Sequence, residues 1–305
     1  MLPSQSRERE LLEKLAGVFA PISTPFSDDE EVDYAALEYN LERYASSGIL
    51  GYLALGSNGE NRSLTEEEKL RVLDTIVRGK GRGQVVIAGA TYDAQRDTER
   101  FLAQAADLGA DFGLVLSPGY FKKQMTEEVL FRYFSTLAVA SRIPLLIYNA
   151  PGFCGVTVPP ALAGRLAGHP NIVGMKDSAA SGIENFLQFE SPVFHVLAGS
   201  ANFLFPAMMG GSVGGTVSLA NTFPSFVMEL FRCGQARDEE RGVPMQARMT
   251  WINSVIAGTY GVSGVKAAMN LAGLRGGIPR RPLLPLTPPQ VEEMRKVLAG
   301  KGLLP

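Results

Sequence analysis

The run NIVGMKDS, residues 171–178, is apolar enough to form a buried strand, yet it carries a lysine, Lys176, near its end. A buried amine is costly unless it is neutral or paired, and desolvation lowers an amine's pKa from ~10.4 toward the range in which the free base can attack a carbonyl carbon. Lys176 is therefore a Schiff-base candidate. A lysine at a strand end can instead snorkel outward to pair with a neighbour, here Asp177, and position alone leaves both readings open. Lys266, in GVSGVKAAMN, is a second lysine among apolar residues. It falls on a helical pattern, where an aliphatic stem covering the helix face is the expected role.

Two further stretches carry chemistry. Tyr148, in PLLIYNAP (144–151), can give and take a proton through its hydroxyl, or simply pack with that hydroxyl bonded to a neighbour. The turn GSNGE (56–60) follows GYLALG and precedes LTEEE (64–68), a capping box that opens a helix. Its glycines permit a tight turn with converging backbone N–H groups, which could hold a carboxylate with help from the Ser57 hydroxyl. An ordinary strand-to-helix turn would use the same glycines for geometry alone.

The composition narrows the partners. The chain has 305 residues, 29 of them basic and 31 acidic, and a formal charge of -2. The two signs are mixed along the chain, with no cationic stripe to attract phosphate backbones or anionic lipid, so neither nucleic acid nor membrane is an expected partner. Cys154 and Cys233 cannot make a disulfide framework. His169 and His195, without CxxC or HExxH spacing, make a poor ligand set, so no metal and no cofactor is expected. The N-terminal MLPSQSREREL has no apolar core, and no apolar run approaches the ~20 residues that span a bilayer. A cytoplasmic location is the expectation.

The elements that must position these groups appear as repetition. Apolar runs recur at 18–26, 48–56, 85–90, 112–118, 144–151, 172–178, 194–200 and 215–221. Between them lie helical patterns, at Tyr34 to Ala45, Thr65 to Arg78, Ala94 to Leu108, Thr126 to Ser141 and Ala161 to Ala167. Strands buried on both faces lose polar alternation and read as continuous apolar runs. Eight strand–helix units predict a (β/α)8 TIM barrel; an open doubly wound sheet usually has fewer strands, and no GxGxxG follows the first run. From about residue 222 the pattern is helical, at Phe226 to Phe231, Met245 to Tyr260 and Val265 to Leu271. A Pro/Arg-rich link, GGIPRRPLLPLTPPQ, precedes a last short helix near Pro289. The expected division is a catalytic barrel over 1–235 and a C-terminal helical extension over 236–305. In such a barrel reactive groups sit at the C-terminal strand ends, so Lys176, Tyr148 and the GSNGE turn should share one mouth.

Taken in order and spacing, GSNGE, IYNAP, VGMKDS and VLAGS resemble the dihydrodipicolinate synthase / N-acetylneuraminate lyase family over nearly the whole chain. HPNIVGMKDS, VLAGS, GGTVSLAN and GVSGVKAAM…GGIPRRPL look most like the 4-hydroxy-2-oxoglutarate aldolases within it. The resemblance implies a class I aldolase or lyase in which Lys176 forms an imine with pyruvate or a pyruvate-derived 2-oxo acid. Tyr148 would then be the acid/base, and Ser57 would link it to a second tyrosine, matched by Tyr120. Ser57 and Asn58 match the clamp on the pyruvyl carboxylate, and Val217 matches a backbone carbonyl lining the pocket. Tyr120 often reaches into a neighbouring subunit's site in family members, which implies a homo-oligomer, commonly a homotetramer. One position departs from the pattern. Where dihydrodipicolinate synthases resemble one another in an arginine that grips the second substrate's carboxylate, this chain has Phe153. Cys154 beside it, with no histidine near in sequence, is expected to be a small packed residue.

The resemblance implies cleavage of 4-hydroxy-2-oxoglutarate to pyruvate and glyoxylate, with condensation of pyruvate with aspartate semialdehyde, as in a dihydrodipicolinate synthase, or a 2-oxo-3-deoxy sugar acid aldolase as its alternatives, and two readings of other classes compete. The Gly-rich GGSVGGTVS (210–218) could grip a phosphate, as barrels often do after strands 7 and 8, or could serve close packing at the rim. The scaffold could also be a non-enzymatic sensor of 2-oxo acids, although a sensor needs only the carboxylate clamp and not Lys176 and Tyr148 as well. An aldolase built on these residues should keep its activity in EDTA, since the chain offers no ligand set for a catalytic cation. Loss of turnover in EDTA that a divalent cation restores would overturn that expectation.

Overall fold

In the computed structural model, which describes residues 3–304 with side chains from Gln5 onward, each apolar run pairs in parallel with the next and the last pairs with the first. The strands are β1 (Val18–Pro21), β2 (Gly51–Ala54), β3 (Val85–Ala90), β4 (Phe112–Leu116), β5 (Leu145–Asn149), β6 (Ile172–Asp177), β7 (His195–Ala198) and β8 (Gly214–Thr216). Every residue of every strand is buried, which is why polar alternation is missing from the sequence. Closure leaves no unpaired sheet edge. The fold is the expected TIM barrel.

Helices form the outer ring. They are α1 (Pro3–Leu15), α2 (Tyr34–Ala45), α3 (Glu66–Gly79), α4 (Gln95–Leu108) and α5 (Glu127–Ala140), followed by α6 (Pro151–Cys154), α7 (Pro160–Ala167), α8 (Glu184–Leu187), α9 (Leu204–Met209) and α10 (Pro224–Ala236). Local chemistry sets several starts. Asp33 caps α2, Thr126 caps α5, and Thr65 with Glu68 forms the reciprocal capping box read from the sequence. The connections after β6 and β7 had no helical pattern in the sequence, and they fold as short α8 and α9. α10 follows β8 as the helix of the eighth unit. No helix among the described residues is long and apolar enough to cross a membrane.

Two glycines of 210–218, Gly214 and Gly215, have a packing reason, while Gly211 takes a positive φ of 114° with open space where a Cβ would stand. A Cβ on Gly214 would lie 2.0 Å from the Gly17 carbonyl oxygen, and one on Gly215 would lie 2.8 Å from that of Ala198. Strand β8 approaches both neighbours too closely for any side chain, which accounts for these residues without a phosphate.

Beyond the barrel lie α11 (Glu239–Asn253), α12 (Thr259–Leu271) and α13 (Pro288–Ala299). The pattern from Met245 to Tyr260 read as one helix, whereas the backbone passes through a π-helical turn at Ser254–Gly258 and a kink at Gly261 (φ 56°, ψ −139°). Only glycine takes that conformation readily, and hydrophobic periodicity does not report it. The reading of Lys266 needs a larger correction. It does not cover an exposed helix face; it is 1% exposed, and its Nζ donates to the carbonyls of Thr24 and Ile278, both at 2.7 Å, and pairs with Glu60 at 2.5 Å. The other Glu60 oxygen accepts the Arg280 backbone N–H at 3.0 Å, and the Arg280 guanidinium forks onto Glu68 at 2.7 and 2.8 Å. A network of charges thus ties the extension to the turn after β2.

Burial pushes the Lys266 amine down to about 8 against the attraction of Glu60. Burial penalises the charged form, so this penalty is complete below pH 8 and is relieved as pH rises toward the unfolded value of 10.5. Removing one partner leaves the other charge buried alone. Lys266→Ala should therefore cost roughly 3–5 kcal/mol in chemical unfolding at neutral pH, and Lys266→Met with Glu60→Gln should recover part of that loss. A single variant within about 1 kcal/mol of the parent would mean that the pair contributes no more than a surface ion pair does.

Candidate active site

Strands β5 and β6 meet with Tyr148 opposite Lys176 and Asn149 opposite Asp177. Paired residues of parallel strands share a face and successive residues alternate, so the first pair points one way and the second the other. On one side Lys176 Nζ donates to Tyr148 Oη at 3.4 Å and lies 4.4 Å from the ring centroid. The Ser57 hydroxyl is 3.5 Å from the same Oη. These contacts are long for hydrogen bonds, as is common in free sites whose bonds tighten around a substrate. Lys176 is 5% exposed and Tyr148 3%. Lys176 forms no ion pair with Asp177, whose carboxylate accepts the Asn149 amide at 2.6 Å on the opposite side. The outward-snorkelling alternative is thereby excluded.

The Tyr148 hydroxyl feels opposing influences. Burial pushes its pKa up; the Lys176 charge, helped by the hydroxyls of Ser57 and nearby Ser178, outweighs burial and holds it below the ordinary tyrosine value. A hydroxyl so placed loses and regains its proton more readily than one in water. Ser178 was not singled out in the sequence, but a signal was present. It stands two residues beyond Lys176, and a continuing strand returns that residue to the same face.

The turn after β2 is a 3-10 turn at Ser57–Gly59 bracketed by two non-glycine residues in the left-handed region, Leu55 (φ 58°) and Glu60 (φ 51°). Such backbone costs about 1–3 kcal/mol per residue and persists only where its surroundings fix it. Here the Asn61 amide holds the Leu55 carbonyl, and Lys266 holds the Glu60 carboxylate. The turn's own bonds begin with the N–H groups of Gly59 and Glu60, leaving those of Ser57 and Asn58 outside it. The Asn58 side chain is committed to the Ser218 hydroxyl at 2.7 Å, so its backbone is the part left to meet a carboxylate. Val217, just past β8, is fully buried; its carbonyl accepts from Ala220 N–H at 3.0 Å and keeps a second lone pair.

Other predicted residues are not gathered in. Tyr120 is 78% exposed and stacks edge-on against Phe121 at 4.9 Å, and its hydroxyl makes no hydrogen bond to Ser57 or Tyr148 within the chain. Phe153, on α6, is 68% exposed. Cys154 is buried, with its thiol turned to the carbonyls of Val156 and Ala150 at 3.3 and 3.5 Å, as a packed residue would be. Of the cations near the rim, Arg62 faces Asp93 at 3.8 Å. Lys122 reaches over α6, with its Nζ 3.1 Å from where a Cβ on Gly155 would stand.

Known proteins with this arrangement are numerous. The Dihydrodipicolinate synthetase family model matches residues 14–301. A 4-hydroxy-tetrahydrodipicolinate synthase of Acidiphilium cryptum is 32% identical over 291 residues, covering 94% of this chain and 99% of its own. A protein of Emericella nidulans named "Probable 4-hydroxy-2-oxoglutarate aldolase, mitochondrial" is 32% identical over 279 residues, covering 87% of this chain and 88% of its own. Among solved structures, an E. coli prophage protein of the dihydrodipicolinic acid synthase family, in complex with pyruvate, superposes with a TM-score of 0.88 at 26% identity over 94% of this chain and 99% of its own. With a match this complete, and a lysine, a tyrosine and a serine converging at the barrel mouth, the chain belongs to the dihydrodipicolinate synthetase family and is an enzyme of the carbon–carbon lyase, aldolase type.

Proposed function

We propose that this chain is a Schiff-base aldolase that cleaves 4-hydroxy-2-oxoglutarate to pyruvate and glyoxylate. The observation that carries the chemistry is the buried contact of Lys176 Nζ with Tyr148 Oη at 3.4 Å, with Ser57 at 3.5 Å on the far side of the hydroxyl. A primary amine, a proton carrier and a relay stand within one hydrogen-bonded chain. The backbone of Ser57 and Asn58 holds the substrate's 2-oxo carboxylate beside that amine, and the Val217 carbonyl lines the pocket.

The reaction runs through an imine on Lys176. The Lys176 amine adds to the ketone carbon, and the resulting carbinolamine loses water to give a protonated imine. Tyr148 removes the proton of the substrate's β-hydroxyl, the carbon–carbon bond breaks, and its electron pair moves toward the imine nitrogen as the aldehyde departs. The enamine left behind takes a proton at carbon, and water hydrolyses the imine to release pyruvate and the free amine. No external cofactor enters these steps. The barrel of residues 1–235 carries the chemistry, and the extension of residues 236–305 fixes the turn after β2.

Phe153 and the relative in Emericella nidulans support the choice of substrate. Arginine binds a carboxylate through two charge-assisted hydrogen bonds, whereas a phenyl ring offers none. A distal carboxylate is held instead by Arg62, Lys122, Lys123 or backbone amides at the rim. Tyr120 and Phe153, exposed in the single chain, are the surfaces that a neighbouring subunit covers in a homotetramer.

The chemistry is tested by reducing the protein with borohydride in the presence of pyruvate. The adduct should map to the peptide carrying Lys176; an adduct on the Lys266 peptide, or none on an active preparation, would contradict the imine. The substrate is a separate question, because the relatives include 4-hydroxy-tetrahydrodipicolinate synthases. Compared side by side, kcat/KM for cleavage of 4-hydroxy-2-oxoglutarate should exceed that for condensation of pyruvate with aspartate semialdehyde. The reverse ranking would assign the chain to the condensation reaction and leave the imine intact.

A further inference from the structure

Behind the reacting pair lies a second pair that the chemistry above does not use. Asn149 and Asp177 are 1% and 0% exposed, on the faces of β5 and β6 away from Tyr148 and Lys176. Every hydrogen bond of the Asn149 side chain goes to a structural partner: its amide nitrogen donates to Asp177 Oδ1 at 2.6 Å, and its Oδ1 accepts the Val158 backbone N–H at 3.0 Å. The same Asp177 oxygen also accepts the Ala179 N–H at 3.3 Å, while Oδ2 is buried with no partner. A buried carboxylate with an unpaired oxygen is a costly residue, and burial pushes its pKa above the ordinary value.

The backbone supplies a use for it. Pairing between β5 and β6 is irregular at its start, shifting by one residue between Leu145 and Leu146, and it regains regular register only over the last four pairs. Because side chains alternate along a strand, a one-residue slip would turn Tyr148 or Lys176 to the wrong face. The Asn149–Asp177 bond crosses the two strands one residue beyond the reacting pair, and the backbone bond from Ser178 N–H to the Asn149 carbonyl at 2.8 Å lies beside it. We propose that Asn149 and Asp177 form a register clamp and that Asp177 is a positioning residue for imine formation, acting through the strand rather than on substrate. This rests on the Schiff-base reading, which the unsubstituted protein tests separately as a control.

The experiment measures the rate of pyruvate–borohydride trapping as a function of pyruvate concentration. A misplacement of about 1 Å can cost on the order of 10²-fold in rate. Asp177→Ala should lower the maximal trapping rate by about that factor, while half-saturating pyruvate moves less than about threefold, because the carboxylate-binding turn after β2 is untouched. Asp177→Asn, whose amide oxygen accepts the same two bonds, should keep at least about a third of the parental rate. Asn149→Asp sets two carboxylates against each other and should fall as far as Asp177→Ala, and adding Asp177→Asn should bring it back by tenfold or more. A folded Asp177→Ala with the parental maximal rate overturns the clamp, as does a loss expressed only in half-saturating pyruvate. Asp177→Asn as slow as Asp177→Ala also overturns it, since the carboxylate itself would then be required. If Asp177→Ala does not fold, the reciprocal double variant decides: recovery supports the clamp, and no recovery over Asn149→Asp overturns it.

Discussion

The parallel register between β5 and β6 is the constraint on which this molecule turns. Setting Tyr148 opposite Lys176 gives the amine a hydroxyl at 3.4 Å, and it forces Asn149 and Asp177 together on the reverse side at 2.6 Å. A sheet has a side-chain period of two, so neither arrangement exists without the other. The inner pair gains its electrostatics from this placement. The Lys176 charge and the hydroxyls of Ser57 and Ser178 offset the burial of Tyr148 and bring its hydroxyl below the ordinary value.

A mouth lined by polar groups must be held open against collapse, and the chain does this from outside the barrel. The turn after β2 contains two left-handed non-glycine residues, and the groups that hold it come from elsewhere: Asn61 on Leu55, and Lys266 of α12 on Glu60. Lys266 spends all three of its donors on Glu60, Thr24 and Ile278. The extension is thereby tied to the turn after β2 by a buried ion pair. Arg280, forked onto Glu68 and bonded through its backbone to Glu60, locks the same junction at the start of α3. Two residues that looked like rival Schiff-base lysines are thus distinguished by their partners, since Lys176 has a hydroxyl and no carboxylate while Lys266 is surrounded by acceptors.

The rim differs in character from the interior. Tyr120, Phe121 and Phe153 present aromatic rings to solvent, and Lys122 leans across α6. Residues at a barrel's rim can be exchanged while the strands stay as they are. Their identity varies the activity of a barrel without touching its core.

What the sequence determined by itself is what depends on local pattern. Eight apolar runs without alternation specify eight strands buried on both faces, and helical stretches between them specify the outer ring, so the barrel and its closed order are legible. Lys176, Tyr148 and the GSNGE turn could be assigned to one mouth because each follows a strand. The short α8 and α9 and the break at Gly261 were not legible, since a single turn of helix has no periodicity and a kink depends on one residue's backbone angles. Tertiary structure alone decided which charges pair. Lys266 is distant in sequence from Glu60 and Thr24, and nothing in GVSGVKAAMN predicts three acceptors converging on it. Asp177 is adjacent to Lys176 and looked like its partner, but strand alternation sends the two side chains apart. Pairing between charges depends on a few ångströms set by register and packing, and sequence separation does not encode that distance.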